Sequence, residues 1–141
     1  MKACVLYCSH TGNTKRLAEA IADLLKAPIF DVATSEASVA DDFELLIIGT
    51  PVTGFNPAPE VSSFVKRLPE CKGKKTILFC TYAFRMGRTL KVLESELAKK
   101  GYVNLLGVSK KVLKVGKADV SEVLAEIQKA VENRGSNHFI K

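Results

Sequence analysis

Short apolar runs alternate with stretches in which apolar residues recur every three or four positions, from one end of the chain to the other. Residues 3–7 are almost continuously apolar, as a strand buried on both faces must be. Across 14–26, Leu17, Ala18, Ile21, Ala22, Leu24 and Leu25 recur at helical spacing. Residues 28–32 predict a weaker strand, and 33–42 a polar connection of small residues. Residues 43–49 predict the strongest buried strand of the chain. Pro59 opens a helix with Val61, Phe64, Val65 and Leu68 on one face, and Pro69 closes it.

After a loop at 70–74, residues 75–81 predict the fourth strand, and Leu90, Leu93 and Leu97 mark a helix ending at Gly101. A fifth strand is expected over 102–108, continuing irregularly to Val115. Val120, Val123, Leu124, Ile127 and Val131 give the last helix, with Gly135 as its C-cap and 134–141 as a loose tail. Strict alternation of buried strands and helices predicts one α/β domain over 1–141, a parallel sheet with helices on both faces. Ligands of such sheets sit beyond the carboxyl ends of the strands, where the strand order switches. That singles out the loops at 8–14, 50–59 and 81–88.

Composition narrows the class. At 141 residues, 47% hydrophobic and 26% charged, the chain is large enough for a full core, since a domain of this size buries about two-thirds of its unfolded surface. Disorder, collagen-like repeats and a disulfide scaffold are excluded. The longest apolar run, 45–52, is broken by Gly49, Thr50 and Pro51, well short of the roughly 20 residues of a membrane span. The apolar start is too short for a secretory leader, so the expectation is a cytoplasmic protein with no membrane contact. Cys4, Cys8, Cys71 and Cys80 lack C-x-x-C or metal-ligand spacing and read as reduced, mostly buried thiols.

Charge is unevenly spread. The net charge is +6, yet residues 66–117 carry fourteen basic groups against Glu70, Glu94 and Glu96, a local +11 that leaves −5 for the rest. No helix-turn-helix, zinc-finger or aromatic-plus-basic RNA signature accompanies it, so nucleic acid is not the expected partner.

The first loop, Ser9-His10-Thr11-Gly12-Asn13-Thr14, places hydroxyls at close intervals between a strand and a helix. A phosphate there meets helix-start amides, the positive end of the helix dipole and three hydroxyl donors, and Gly12 lets the backbone approach. An ordinary helix cap uses the same residue types. A Walker loop is excluded because no Gly-Lys pair follows Gly12. Cys8 and Arg16 stand too far apart for a thiolate–arginine phosphate cradle, and the first strand ends without the acids of a receiver domain. His10 either reaches the phosphate or faces water.

On these residues the chain resembles the flavodoxin family: Ser9 to Thr14 match its [ST]-x-[ST]-G-x-T motif directly after a first strand. The order of elements agrees along the whole chain, including Ile48-Gly49-Thr50-Pro51 ending the third strand and Lys72-Gly73-Lys74-Lys75 leading into the fourth. The resemblance implies a flavodoxin-like three-layer sandwich of the short-chain form, with strand order 2-1-3-4-5. It also implies FMN, with its phosphate on Ser9, His10, Thr11, Gly12, Asn13 and Thr14. The isoalloxazine would lie between Thr50, Pro51, Val52, Thr53, Gly54 and Phe55 on one side and Thr81, Tyr82, Ala83, Phe84, Arg85 and Gly87 on the other.

The family often has Trp and Tyr in those loops. This chain has no Trp, so Phe55, Tyr82 and Phe84 are the available rings. The peptide at Gly54 matches the place where flavodoxins turn a carbonyl toward the flavin N5, although a plain turn glycine fits equally. Many flavodoxins are acidic in the third loop, whereas this chain has Arg85 and Arg88.

The resemblance therefore implies a monomeric, low-molecular-weight electron carrier serving redox partner proteins with acidic docking surfaces. No paired carboxylates, serine triad or metal cluster supports independent catalysis. Two alternatives stand beside it: an FMN-dependent NAD(P)H:quinone-type oxidoreductase, and an interaction module of the same fold without FMN.

Overall fold

The computed structural model describes residues 2–112 and 119–133. Its elements in chain order are β1 (Ala3–Tyr7), α1 (Asn13–Leu25), β2 (Ile29–Asp31), a 3₁₀ helix (Ala37–Asp42), β3 (Leu45–Thr53) and β4 (Asn56–Pro57). They continue with α2 (Pro59–Arg67), β5 (Lys75–Tyr82), α3 (Thr89–Lys99), β6 (Val103–Lys111) and α4 (Ser121–Asn133). Five parallel strands lie in the order β2-β1-β3-β5-β6, the order expected from the resemblance, and the short β4 pairs antiparallel with the end of β3.

The apolar runs are continuous because alternate residues enter two separate cores. Leu6, Leu46, Ile48 and Leu78 pack with Val61 and Phe64 of α2 and with Leu93 and Leu97 of α3. Val5, Leu45, Ile47, Ile77 and Phe79 pack with Leu17 and Ile21 of α1 and with Val123 and Ile127 of α4. A period-2 strand facing helices on both sides has no solvent face left for polar residues.

Two boundaries differ from expectation. The third strand, expected over 43–49, begins at Leu45 and runs on to Thr53. Gly49 does not end it: a Cβ there would lie 2.0 Å from the Phe79 ring, so the glycine makes room for its register partner. Pro51 is tolerated because β1 ends opposite Gly49, and no strand needs the missing amide on that side. The fifth parallel strand continues regularly to Lys111, with an irregularity where Thr76 pairs Asn104 but Ile77 pairs Leu106. Its expected extension to Val115, the Gly135 cap and the tail at 134–141 lie outside the described residues. Among those described, no helix is long and apolar enough to cross a membrane.

Candidate functional site

The carboxyl ends of β1, β3 and β5 carry the three loops singled out by the sequence, and the strand order reverses at β1 and β3. Between them lies a cleft of about 250 Å³ lined by His10, Thr11, Asn13, Pro51, Val52, Thr53, Thr81, Tyr82 and Ala83. Val112, just past β6, completes the lining; the sequence reading missed it because that strand was expected to lose regularity there. A larger hollow of about 360 Å³ lies elsewhere, at Lys2, Leu25, Pro28, Phe43 and Val131. Another of about 430 Å³ lies at Asp41, Glu44, Cys71 and Lys74; size favours those hollows, but topology and converging polar groups favour the cleft, and we take those as the better guide.

The first loop is organised by Ser9. Its Oγ accepts the Gly12 amide at 3.0 Å and the Lys15 amide at 3.2 Å, which occupies both lone pairs and leaves the hydroxyl proton to be donated outward. Gly12 caps α1 with φ +93°, and no atom lies within 4 Å of where its Cβ would be, so the backbone at the helix start is open to a ligand. Asn13 Nδ2 donates to Thr11 Oγ1 at 3.3 Å. Thr14 takes a different place from the other loop residues. It is buried at 1% exposure, and its hydroxyl pairs with that of Thr81 at 2.8 Å, tying the start of α1 to the end of β5.

The second loop is a two-residue hairpin rather than an irregular segment. Thr53 faces Asn56 across it, and Gly54 and Phe55 have φ of +56° and +70°, the signature of a primed turn. Phe55 thus holds a backbone that non-glycine residues rarely adopt, and half of its side chain is in solvent. Asn56 Nδ2 donates to the Gly54 carbonyl at 3.1 Å. Thr50 is buried: its hydroxyl donates to the Pro51 carbonyl at 2.8 Å and accepts the Ala58 amide at 2.9 Å, fixing the entry to α2. Thr53 donates to the Pro57 carbonyl at 3.3 Å.

The third loop leans on the second. The Arg88 amide donates to the Phe55 carbonyl at 2.9 Å, and Gly87, with φ +61°, packs directly on the Phe55 backbone. Phe84 projects at the rim with 86% of its surface in solvent, next to the exposed Arg85. Tyr82 pairs with Lys111 across the sheet, which brings Lys110 and Lys111 to the same end of the fold as Arg85 and Arg88, with Asp119 close to Lys110.

His10 does not simply face water. Its Nε2 lies 3.1 Å from Glu60 Oε2 in the first turn of α2 and 3.6 Å from Cys8 Sγ. Glu60 is held below the usual carboxylate range by its own backbone amide and then by His10. Burial pushes the Cys8 thiol up to about 11, and the Glu60 carboxylate adds to the shift. Nothing in the local sequence pairs residues 50 positions apart; Glu60 one place after an N-terminal Pro59 was the only available signal.

Comparisons with known proteins bear on the fold and the family. Residues 4–121 match a family model described as a flavodoxin domain. An uncharacterized protein of Methanocaldococcus jannaschii is 28% identical over 105 residues, 72% of this chain and 69% of its own. Oxidised Flavodoxin 1 of Bacillus cereus superposes with a TM-score of 0.80 at 21% identity, covering 94% of this chain and 98% of that one. The two-electron reduced flavodoxin of Megasphaera elsdenii gives 0.76 at 20% identity, covering 91% and 96%. Those structures share the fold. The family rests on the match that runs from β1 to the start of α4, taking in the loop built around Ser9 and both loops facing it: the chain belongs to the flavodoxin domain family.

Proposed function

We propose that the chain binds FMN at the cleft and carries electrons between partner proteins. The observation that carries this reading is Ser9: its oxygen accepts two amides beside an open glycine-capped helix start, which leaves its hydroxyl proton free to be given to a phosphate monoester. The donor set fits the group. Hydroxyls, an amide side chain and helix-start amides bind a phosphate without a lysine.

FMN, once bound, supplies one- and two-electron redox chemistry. The chain's own residues hold and shield it. The helix start and Ser9 orient the phosphate end, and Pro51, Val52 and Ala83 wall the cleft against water. Phe55 and Phe84 stand exposed at its rim. Release of the Gly54 carbonyl from Asn56 leaves a hydrogen-bond acceptor at that rim. The basic rim of Arg85, Arg88, Lys110 and Lys111 suits acidic partner surfaces, by attraction that weakens with salt. Four free cysteines are consistent with a reducing compartment, the cytoplasm.

The test is a visible spectrum of the purified chain followed by FMN titration. Saturable one-to-one uptake, weakened by Ser9→Ala, is the expected result. A folded protein that takes up no FMN overturns the reading in favour of an interaction module. Rapid NAD(P)H oxidation by the loaded protein overturns the carrier assignment in favour of a reductase.

A further inference from the structure

Cys8 follows β1, His10 stands two residues on, and Glu60 lies in the first turn of α2. Together they bring a thiol sulfur, a ring nitrogen and a carboxylate oxygen within 4.8 Å of one another. A hydrogen-bonded cysteine relay would use the two ring nitrogens of the histidine for its two partners. Here both contacts converge on Nε2, from Cys8 Sγ at 3.6 Å and Glu60 Oε2 at 3.1 Å. The thiol is also pushed up rather than down, the opposite of an activated nucleophile.

Three ligand-type atoms within 4.8 Å of one another are instead close enough to close on one cation. With zinc bonds of about 2.3 Å to sulfur and 2.0–2.2 Å to nitrogen and oxygen, a tetrahedron has S···N and N···O edges of about 3.6 and 3.4 Å. The observed separations are 3.6 and 3.1 Å. A soft thiolate beside an imidazole and one carboxylate selects zinc-class ions over magnesium or calcium.

We propose that Cys8, His10 and Glu60 form a binding site for one divalent transition-metal ion of the zinc class, with the fourth position open to water. Cys8 lies beneath at 3% exposure, while His10 and Glu60 are 39% and 41% exposed and leave the ion a path in. Binding forms the metal–sulfur bond and releases the thiol proton to solvent. The FMN reading rests on Ser9, so the two stand or fall separately.

The test is a titration of the reduced, metal-free, flavin-free full chain with Co²⁺, then displacement by Zn²⁺. One equivalent should give thiolate-to-cobalt charge-transfer absorption and the intense visible bands of a tetrahedral site. Cys8→Ser and His10→Ala should each abolish that spectrum and weaken zinc by more than about 100-fold, since even outer-shell losses cost up to that. Glu60→Gln should weaken it, and Cys71→Ser should leave it unchanged. His10 and Glu60 are surface residues, so their variants keep the test open if Cys8→Ser does not fold. A chain that gives no charge-transfer band, or whose band survives His10→Ala or vanishes in Cys71→Ser, overturns the proposal.

Discussion

The contact between Gly87 and Phe55 holds the second and third loops together, and replacing one glycine tests it. A Cβ on Gly87 would lie 2.5 Å from the Phe55 carbonyl oxygen and Cβ and 2.7 Å from its Cα. Backbone is involved, so no rotamer change relieves the clash. Gly87→Ala adds about 1–2 kcal/mol of left-handed strain, reduced by about 0.4–1 kcal/mol because the unfolded chain is stiffened. Overpacking adds about 1–3 kcal/mol. Losing the bond from the Arg88 amide to the Phe55 carbonyl adds about 1 kcal/mol. Gly54→Ala is the control, because Gly54 has the same sign of φ but open space around its Cβ. It should lose only about 1 kcal/mol. Urea unfolding of the flavin-free protein should therefore place Gly87→Ala about 2–4 kcal/mol below Gly54→Ala, by a midpoint shift at unchanged slope. Equal midpoints for the two variants would show that the loops are not braced on each other.

Three further outcomes follow from contacts and charges. Thr14→Val and Thr81→Val each leave a buried hydroxyl unpaired at about 1–3 kcal/mol, whereas the double variant removes both groups; a double-mutant cycle by urea unfolding should be strongly non-additive, and simple additivity refutes the pairing. Burial raises Cys4 and Cys80 from 9.0 to about 12 and Cys8 to about 11, so the unfolded chain sheds these protons first. Stability is then fully present below pH 9.0 and falls as pH rises toward the folded values, by up to about 1.4 kcal/mol per pH unit for each thiol; a flat profile from pH 9 to 11 contradicts the burial argument. In the FMN-loaded protein, Arg85→Ala should lower the midpoint potential of the second electron by a few tens of millivolts, because a charge pair is worth about 1 kcal/mol at 4 Å in water and 1 kcal/mol is about 43 mV per electron. An unchanged potential removes Arg85 from the tuning of that step.

The parallel sheet and both helical layers were legible because each strand's two faces are filled by opposite sets of an unbroken apolar run, whereas the strand order came only with the family resemblance. Leu46 and Ile48 go to one core, Leu45 and Ile47 to the other, and no polar alternation is needed. The end of β3 was not legible. Gly49 and Pro51 are breakers by type, and only the Phe79 ring and the early end of β1 explain why the strand passes through them. The same limit applies at the site. Apart from Val112, the residues of the cleft sit in motifs local to each loop, whereas Thr14 to Thr81, Gly87 to Phe55 and His10 to Glu60 are pairings across elements that only the fold creates.

The two proposals place two chemistries on one loop, an anion at Ser9 and a cation between Cys8, His10 and Glu60. If both sites fill, their charges give the sign expected for any coupling between them. Counted with a neutral imidazole, the empty cation site carries −1 from Glu60. A dication that displaces the Cys8 proton brings it to zero. One positive charge is gained beside the phosphate loop, so zinc should tighten FMN. A unit charge acting on the phosphate at the strength of a close pair in water, about 1 kcal/mol, corresponds to about fivefold. Thermodynamic linkage then requires FMN to tighten zinc by the same factor. Calorimetric titration of each ligand with the other absent and saturating reads both factors. Factors of one in both directions refute the coupling, and equal weakening means that the phosphate takes His10 away from Glu60.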